Sequence, residues 1–201
     1  MNILFFDTET TGLPTKQPLS HPSQPKILQL GAILATDSGD IIHTIDTLVQ
    51  IGDTPINKFA LAAHGITSER ANAEGIPQCE AFSDFYHLAM EATSLCCHNH
   101  NFDIKLIEIM SHQVKGCYDD EEESSMRMSE INDIPYECTM MATINYCALT
   151  FPSGRKGFKF PKLEELHTKL FGFSFDGAHD ALADVSATMR CYFKLKELGV
   201  M

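Results

Sequence analysis

Two acidic residues, Asp7 and Glu9, follow a strongly apolar segment at the start of the chain. Residues 2–7 predict a buried strand, and residues two apart on a strand face the same side. Two carboxylates on one face of a strand repel each other unless a cation lies between them. The pair therefore indicates a metal site, although a simple turn after the strand would contain the same residue types.

A third acid, Asp103, follows another apolar segment at residues 94–98 and lies in the first turn of a predicted helix. Asp is common at that place as a helix cap, and Asn99 has the same ordinary explanation. Taken alone, each of these two residues favours capping over chemistry.

His179 and Asp184 are five residues apart near the beginning of the last predicted helix. Residues five apart on a straight α-helix are separated by about 140°, so the two converge only if His179 lies on the preceding loop. Gly177 and Ala178 favour such a loop. Asp180 and Asp184 share a helix face without that help, which makes Asp180 a rival ligand, but we prefer Asp180 as the N-cap.

These residues require a framework of strands and helices that brings distant segments together. Residues 2–7, 27–34 and 41–51 predict three strands of an antiparallel meander, with a turn at residues 37–40 and a loop at residues 13–25. The further predicted elements are helices at residues 60–63, 79–93, 102–113, 139–149, 162–171 and 181–198, and a short strand at 94–98. This order predicts one α/β domain over residues 1–201, with helices around a mixed sheet.

The net charge and the composition of the chain limit the classes of protein to which it can belong. The net charge of −12 argues against a general nucleic-acid binder, since such binding uses Lys and Arg, but bound cations can supply positive charge locally. The acidic run Asp119–Glu123 belongs to a polar segment, residues 116–135, that predicts a mobile loop.

No apolar run is long enough for a membrane span, and the N-terminus lacks a signal peptide. Seven cysteines without a C-x-x-C pair predict a reducing cytoplasmic setting.

In combination, the motifs resemble the DnaQ-like, or DEDDh, family of 3′–5′ exonucleases. The matching segments, in the family's order, are Asp7-Thr8-Glu9-Thr10-Thr11-Gly12-Leu13, His64-Gly65-Ile66-Thr67, His98-Asn99 with Phe102-Asp103, Lys162-Leu163-Glu164-Glu165-Leu166, and His179 to Asp184. The resemblance implies a ribonuclease H-like fold, which agrees with the pattern of predicted elements. It also implies that Asp7, Glu9, Asp103 and Asp184 bind metal and that His179 is the general base.

The chemistry implied by the resemblance is hydrolysis with two divalent cations, which clamp the attacking and leaving oxygens. Hard oxygen ligands favour Mg²⁺ or Mn²⁺ over zinc. The expected product is a nucleoside 5′-monophosphate, released from the 3′ end of single-stranded or 3′-ended DNA or RNA. The family match further gives Thr10, Thr11, Leu13, His64, Asn99 and Phe102 as substrate contacts. Leu13 could equally pack at the start of a loop, and His64 could equally cap the helix before it.

Three features depart from the family pattern. Asp180 follows the motif histidine, where many relatives have a basic or neutral residue, and His100 and Asn101 replace the small residue that is usual before Phe102. The acidic segment around Asp119–Glu123 resembles a local insertion. None of these departures removes a group that the chemistry requires.

Two other hypotheses belong to different classes. Asp7-x-Glu9-x-Thr11 roughly imitates the D-x-D-x-T of haloacid dehalogenase-type phosphatases, whose first Asp is a nucleophile, but that interpretation gives His179 no role. The other alternative is a non-catalytic nucleic-acid-binding or polymerase-binding module on the same fold. A polymerase partner is conceivable in either case, because relatives often proofread for one.

Overall fold

A computed structural model describes residues 1–118 and 122–201, and its central feature is a five-stranded sheet. The strands are β1 (Asn2–Thr10), β2 (Ile27–Thr36), β3 (Ile41–Leu48), β4 (Ser94–Cys97) and β5 (Tyr136–Cys138), in the order β3-β2-β1-β4-β5. β1 pairs antiparallel with β2, and β2 pairs antiparallel with β3, so the predicted meander is confirmed. β1 and β4 are parallel, as are β4 and β5, which makes the sheet mixed.

Helices cover the sheet. They are α1 (Lys58–His64), α2 (Ser68–Glu74), α3 (Gln78–Met90), α4 (His100–Gln113), α5 (Glu123–Asn132), α6 (Thr139–Ala142), α7 (Ile144–Cys147), α8 (Leu163–Phe171) and α9 (Ala181–Glu197). Gly65 ends α1 with a left-handed φ of 69°, as its position in the sequence predicts. The predicted helix at 139–149 is instead two short helices that meet at Thr143, whose hydroxyl donates to the Thr139 carbonyl at 2.6 Å. Among the described residues, no helix is both long and apolar enough to cross a membrane.

Alternation along β1 distributes its side chains between the two faces of the sheet. Leu4 and Phe6 pack in the core cluster that also contains buried residues of α3, α4 and α5. Ile3 and Phe5 pack in the cluster that contains residues of α9. Since alternate residues of a strand share a face, the two acids that follow at odd-numbered positions belong to the α9 face, and Thr8 belongs to the α4 face.

The predicted mobile loop at residues 116–135 is wrong over much of its length, because α5 occupies residues Glu123–Asn132. Met128 and Ile131, three residues apart, are buried against the core. The helix is also fixed to α3 by the Tyr86 hydroxyl, which donates to Glu130 at 2.6 Å. The polar composition of the segment led to the loop prediction, although two of its side chains pack in the core and hold the helix to the domain. The remaining acids of the run, residues 119–121, lie outside the described residues.

Gly31 determines how closely α9 approaches the sheet. It pairs with Asp7 in the β1–β2 register. A Cβ atom added at Gly31 would lie 2.6 Å from the carbonyl carbon of Ala181, the first residue of α9. Because that neighbour is backbone, it cannot move aside as a flexible side chain would. The absence of a side chain at Gly31 therefore lets the N-terminus of α9 lie directly over the acidic end of β1.

We predict that Gly31→Ala lowers the free energy of unfolding by about 1–3 kcal/mol, the usual cost of overpacking a close contact. Urea unfolding measures this change. Gly116→Ala is the matched control, because a Cβ there meets nothing within 4 Å and the residue has no positive φ. Equal stability of the Gly31→Ala variant and the wild type would contradict the close approach of α9.

Candidate active site

The acidic end of β1 extends beyond its parallel neighbour. The β1–β4 pairing ends where Phe5 meets Cys96, whereas β1 continues to Thr10 alongside β2. Asp7 and Glu9 therefore lie on a stretch of strand with one open edge. This edge allows side chains from helices on both faces of the sheet to reach the same place.

Asp103 reaches this edge from the first turn of α4, and its side chain is only 2 % exposed. The carboxylate oxygen Oδ1 accepts hydrogen bonds from the Thr8 backbone N–H at 3.2 Å and from the Thr8 hydroxyl at 2.9 Å. Asp103 is thus fixed to β1 between the two other acids. Asn99 occupies the N-cap position of α4 with a left-handed φ of 83°, but its side chain makes no cap hydrogen bond.

Asp184 lies in the first turn of α9. His179 lies on the loop before that helix, which is the position predicted for the two residues to meet. The His179 backbone has φ of 70°, and its N–H donates to Asp184 Oδ2 at 3.3 Å. Asp180 is the N-cap, as predicted: its side chain accepts from the Ala183 N–H at 3.1 Å and from Gln29 Nε2 at 3.0 Å. Because both Asp180 oxygens have protein partners, Asp184 is the acid of this helix that is available to a cation.

The residues fit a divalent cation. One possible ligand atom from each of Glu9, His179 and Asp184 lies within 4.8 Å of the others. Asp184 Oδ1 is buried and has no hydrogen-bond partner, which is costly for a carboxylate oxygen unless a ligand satisfies it. Within the described residues, no Lys or Arg forms an ion pair with Asp7, Glu9, Asp103 or Asp184.

Burial and neighbouring negative charges raise the pKa of all four carboxyl groups. Burial is the largest cause in each case, and it raises the pKa of Glu9 to about 9, of Asp103 to about 8 and of Asp184 to about 6. Burial, followed by the charge of Asp103, raises the pKa of Asp7 well above its usual value. The hydrogen bonds from Thr8 partly offset the effect at Asp103. The cluster is therefore strained electrostatically when no positive charge compensates it.

A cavity of about 610 Å³ opens beside these acids. Four of the predicted substrate contacts line it, namely Thr10, Leu13, His64 and Phe102, together with Glu9 and His179. Its rim also has Phe59 of α1, whose side chain is 73 % exposed, and Leu13 is 77 % exposed. Phe59 was not predicted from the sequence, because the absence of buried residues on α1, which makes this exposed ring unusual, is visible only in the structure.

His64 is held by backbone groups at both ring nitrogens. Nδ1 accepts from the Ile66 N–H at 3.0 Å, so Nε2 carries the proton and donates to the Thr10 carbonyl at 3.2 Å. Burial lowers the pKa of His64, and the neutral ring is consistent with both hydrogen bonds. His64 thus closes the end of α1 and lines the cavity at the same time.

Two predicted substrate contacts do not line this cavity. Thr11 instead joins loops: its N–H donates to the Lys26 carbonyl, and its hydroxyl accepts from the Lys26 N–H, both at 2.9 Å. Asn99 lines a separate cavity beside β5. The neighbouring His100, one of the departures from the family pattern, stacks on Tyr136 with ring centroids 3.7 Å apart.

Comparison with known protein families identifies the family of this chain. The family model RNase_T, described as an exonuclease, matches residues 4–192. The chain belongs to this exonuclease family. Membership excludes the phosphatase alternative, which the Asp-x-Glu-x-Thr spacing alone had left open. No curated protein matches the chain in sequence.

Solved structures of E. coli exonuclease I share the fold of this exonuclease domain. A complex with a dT13 oligonucleotide has 24 % sequence identity and a TM-score of 0.69, over 97 % of this chain and 41 % of that one. A complex with dA16 has 23 % identity and a TM-score of 0.71, over 98 % and 41 %. A zinc-bound form in complex with single-stranded DNA has 23 % identity and a TM-score of 0.71, over 98 % and 40 %. The fold is ribonuclease H-like, and the chain spans about two fifths of the length of these neighbours.

The raised carboxyl pKa values predict that stabilisation by a divalent cation increases with pH. Because the pKa of Glu9 is about 9 when folded, the folded protein holds protons that the unfolded chain has lost, and the metal-free acid cluster becomes more destabilising as pH rises. A cation at about 100 times its Kd stabilises by about 2.7 kcal/mol, or roughly 5–10 °C in Tm for a chain of this size. We expect this Tm increase with Mg²⁺ or Mn²⁺ at about pH 8.5, and a smaller one at about pH 5.5.

Thermal unfolding with EDTA or with cation measures the effect. Glu9→Gln removes one repelling charge, so this variant should be more stable than the wild type in EDTA at the higher pH and should respond less to cation. Asp53→Asn, at an exposed turn, is the control that should behave as the wild type. A wild-type Tm that no divalent cation changes at either pH would refute the metal site.

Proposed function

We propose that this exonuclease domain removes nucleotides from the 3′ end of a single-stranded nucleic acid and releases nucleoside 5′-monophosphates. One observation carries the proposal: acids from three distant segments, on β1, α4 and α9, converge with His179 at the edge of an open cavity. A structural role does not explain this arrangement, because the acids repel one another and one of their oxygens is buried without a partner.

Asp7, Glu9, Asp103 and Asp184 would hold two divalent cations, for which their oxygen atoms favour Mg²⁺ or Mn²⁺. When bound, the cations supply positive charge to the attacking and leaving oxygens of the displacement. The repulsion among the carboxylates supports this role, since a cation removes it. The nitrogen of His179 near Glu9 and Asp184 also permits zinc, so zinc needs its own experimental arm.

His179 is the proposed general base. It is exposed at the cavity edge, and its backbone is fixed by the hydrogen bond to Asp184. The water oxygen attacks the phosphorus of the terminal phosphodiester while one water proton passes to His179. The bond from phosphorus to the 3′-oxygen breaks, and that oxygen takes a proton from solvent water and leaves as the 3′-hydroxyl of the shortened strand. An imidazole nitrogen that carries no proton can accept the proton of the attacking water.

The cavity supports a terminal nucleotide as the bound group. Its volume of about 610 Å³ lies within the usual range for small-ligand pockets. Leu13, Phe59 and Phe102 give it apolar surface against which a base can stack, and Glu9 and His179 lie at its reactive side. Unpaired bases offer their faces to such side chains, and the oligonucleotides bound in the exonuclease I structures make single-stranded DNA the first substrate to test. A polymerase partner and a cytoplasmic location stay predictions.

We predict that Asp7→Ala and Asp184→Ala each abolish trimming of a 5′-labelled single strand in Mg²⁺, because each removes a metal ligand. His179→Ala should retain measurable activity, with a loss of about 10²–10⁴-fold, since a general base contributes that much. Asp53→Ala is the control for loss of a surface acid. Denaturing gels resolve the ladder of shortened products, and unchanged activity in both ligand variants would remove the proposed site.

Matched DNA and RNA strands in Mg²⁺, Mn²⁺, Zn²⁺ or EDTA then define substrate and metal. A 3′-labelled strand should release labelled mononucleotide first, which establishes the direction of attack. Release of label from the 5′ end first, or persistence of activity in EDTA, would contradict the proposed reaction.

A further inference from the structure

Residues 150–162 form a basic and aromatic segment in an acidic protein. It contains Arg155, Lys156, Lys159 and Lys162 and no Asp or Glu, although the chain as a whole has 27 acids and 15 Lys or Arg residues. Phe158 and Phe160 lie between these cations, and Phe151 precedes them. We call residues 150–162 the basic aromatic segment. The exonuclease reaction proposed above assigns it no role.

The aromatic side chains of the segment are displayed to solvent. Phe158 is 43 % exposed and Phe160 is 55 % exposed, whereas Phe residues ordinarily lie inside a protein. The backbone is nevertheless anchored: Thr150 pairs with Phe158, and the Lys159 N–H donates to the Leu149 carbonyl at 2.8 Å. A fixed backbone that presents exposed rings loses little entropy when a ligand stacks on them.

One cation of the segment forms an ion pair within the protein, and two others are exposed to solvent. Lys159 Nζ contacts both Glu165 carboxylate oxygens at 2.6 Å, which ties the segment to α8. Arg155 and Lys156 are exposed and form no ion pair with any residue that the structure describes. The Arg155 guanidinium lies over the Phe151 ring at 5.1 Å from its centroid. The segment therefore presents two cations and at least two rings to a ligand.

One contact joins the segment to the part of the chain that leads into α4, the helix that carries Asp103. The Pro161 carbonyl accepts from His98 Nε2 at 3.0 Å, and His98 lies between β4 and α4, the helix that carries Asp103. Burial lowers the pKa of His98 to about 4, so this ring is a neutral structural link.

We propose that the basic aromatic segment is a second nucleic-acid contact, which binds nucleotides of the single strand that lie outside the cavity for the terminal nucleotide. Bases stack on Phe158 and Phe160, and phosphates contact Arg155 and Lys156. Rings alternating with cations match a single strand, whose bases and phosphates alternate in the same way. Outside the segment acids outnumber Lys and Arg, whereas the segment itself carries only positive charge, so charge favours phosphate binding here. The inference rests on the proposed function, because the segment extends the substrate path of that same site.

The test measures binding of a fluorescent twelve-nucleotide strand to the Asp7→Ala protein in Mg²⁺, so that the strand is not cut. Phe158→Ala combined with Phe160→Ala should raise the Kd about 30-fold or more, since stacking contributes about 1–3 kcal/mol for each of the two bases and about 1.4 kcal/mol corresponds to tenfold in Kd. Phe173→Ala removes another exposed ring, 63 % exposed and outside the segment, and should leave the Kd unchanged. Phe160→Tyr should retain tight binding, because it keeps the ring.

Salt dependence tests the cations separately. Arg155→Ser combined with Lys156→Ser should reduce the slope of log Kd against log salt by about 1.4, because each phosphate of a single strand that a cation neutralises adds about 0.7 to that slope. Thermal unfolding shows whether each variant is folded. If Phe158→Ala combined with Phe160→Ala does not fold, Phe160→Ala alone should still weaken binding.

Kinetics with the Asp7 side chain intact separates this inference from the proposed function. The Phe158 and Phe160 variant should raise KM for the twelve-nucleotide strand and leave kcat unchanged. It should also leave hydrolysis of the p-nitrophenyl ester of thymidine 5′-monophosphate unchanged, since that substrate reaches only the cavity. A wild type that cleaves neither substrate would refute the proposed function. Normal cleavage of both, with unchanged strand binding in the segment variants, would refute the second contact and assign the exposed rings to another partner, such as a protein.

Discussion

Repulsion among four carboxylates is the interaction on which the rest of this structure depends. Asp7, Glu9, Asp103 and Asp184 lie close enough that burial and neighbouring negative charge raise the pKa of each. Such a cluster opposes folding at neutral pH unless a cation compensates it. The rest of the domain must therefore be stable enough to hold the acids together. In the proposed function, the binding of cations relieves this repulsion and forms the catalytic site.

Three features of the sheet bring the acidic residues together. Alternation along β1 directs its acids to the face of α9, while Thr8 between them faces α4 and fixes Asp103 through two hydrogen bonds. Early termination of β4 leaves the end of β1 open, so that helices from opposite faces contribute to one site. Gly31 then allows α9 to lie directly on the strand pair. Thr8 and Gly31 therefore determine the geometry of the site, although neither is a candidate for catalysis or metal binding.

Features with a local physical cause could be predicted from the sequence. The spacing of Asp7 and Glu9, the meander and the loop position of His179 all follow from strand alternation, turn chemistry and helix geometry. Features that depend on distant partners could not. The three-residue strand β5 forms only because β4 offers an edge, and α5 is stable because two side chains of a polar segment reach the core. Likewise, the hydrogen bond between Thr11 and Lys26 and the position of Asn99 beside a separate cavity depend on distant partners. The contact of these two residues with substrate, which the resemblance implies, stays a prediction.

The most direct test is a crystal structure of the protein soaked in Mn²⁺, with anomalous diffraction collected at the manganese absorption edge. We expect two anomalous peaks about 3.5–4 Å apart, surrounded by the carboxylates of Asp7, Glu9, Asp103 and Asp184. The absence of any peak at this position would contradict the two-cation site. A single peak held by Glu9, His179 and Asp184 alone would also contradict it, because His179 would then be a ligand and not the base.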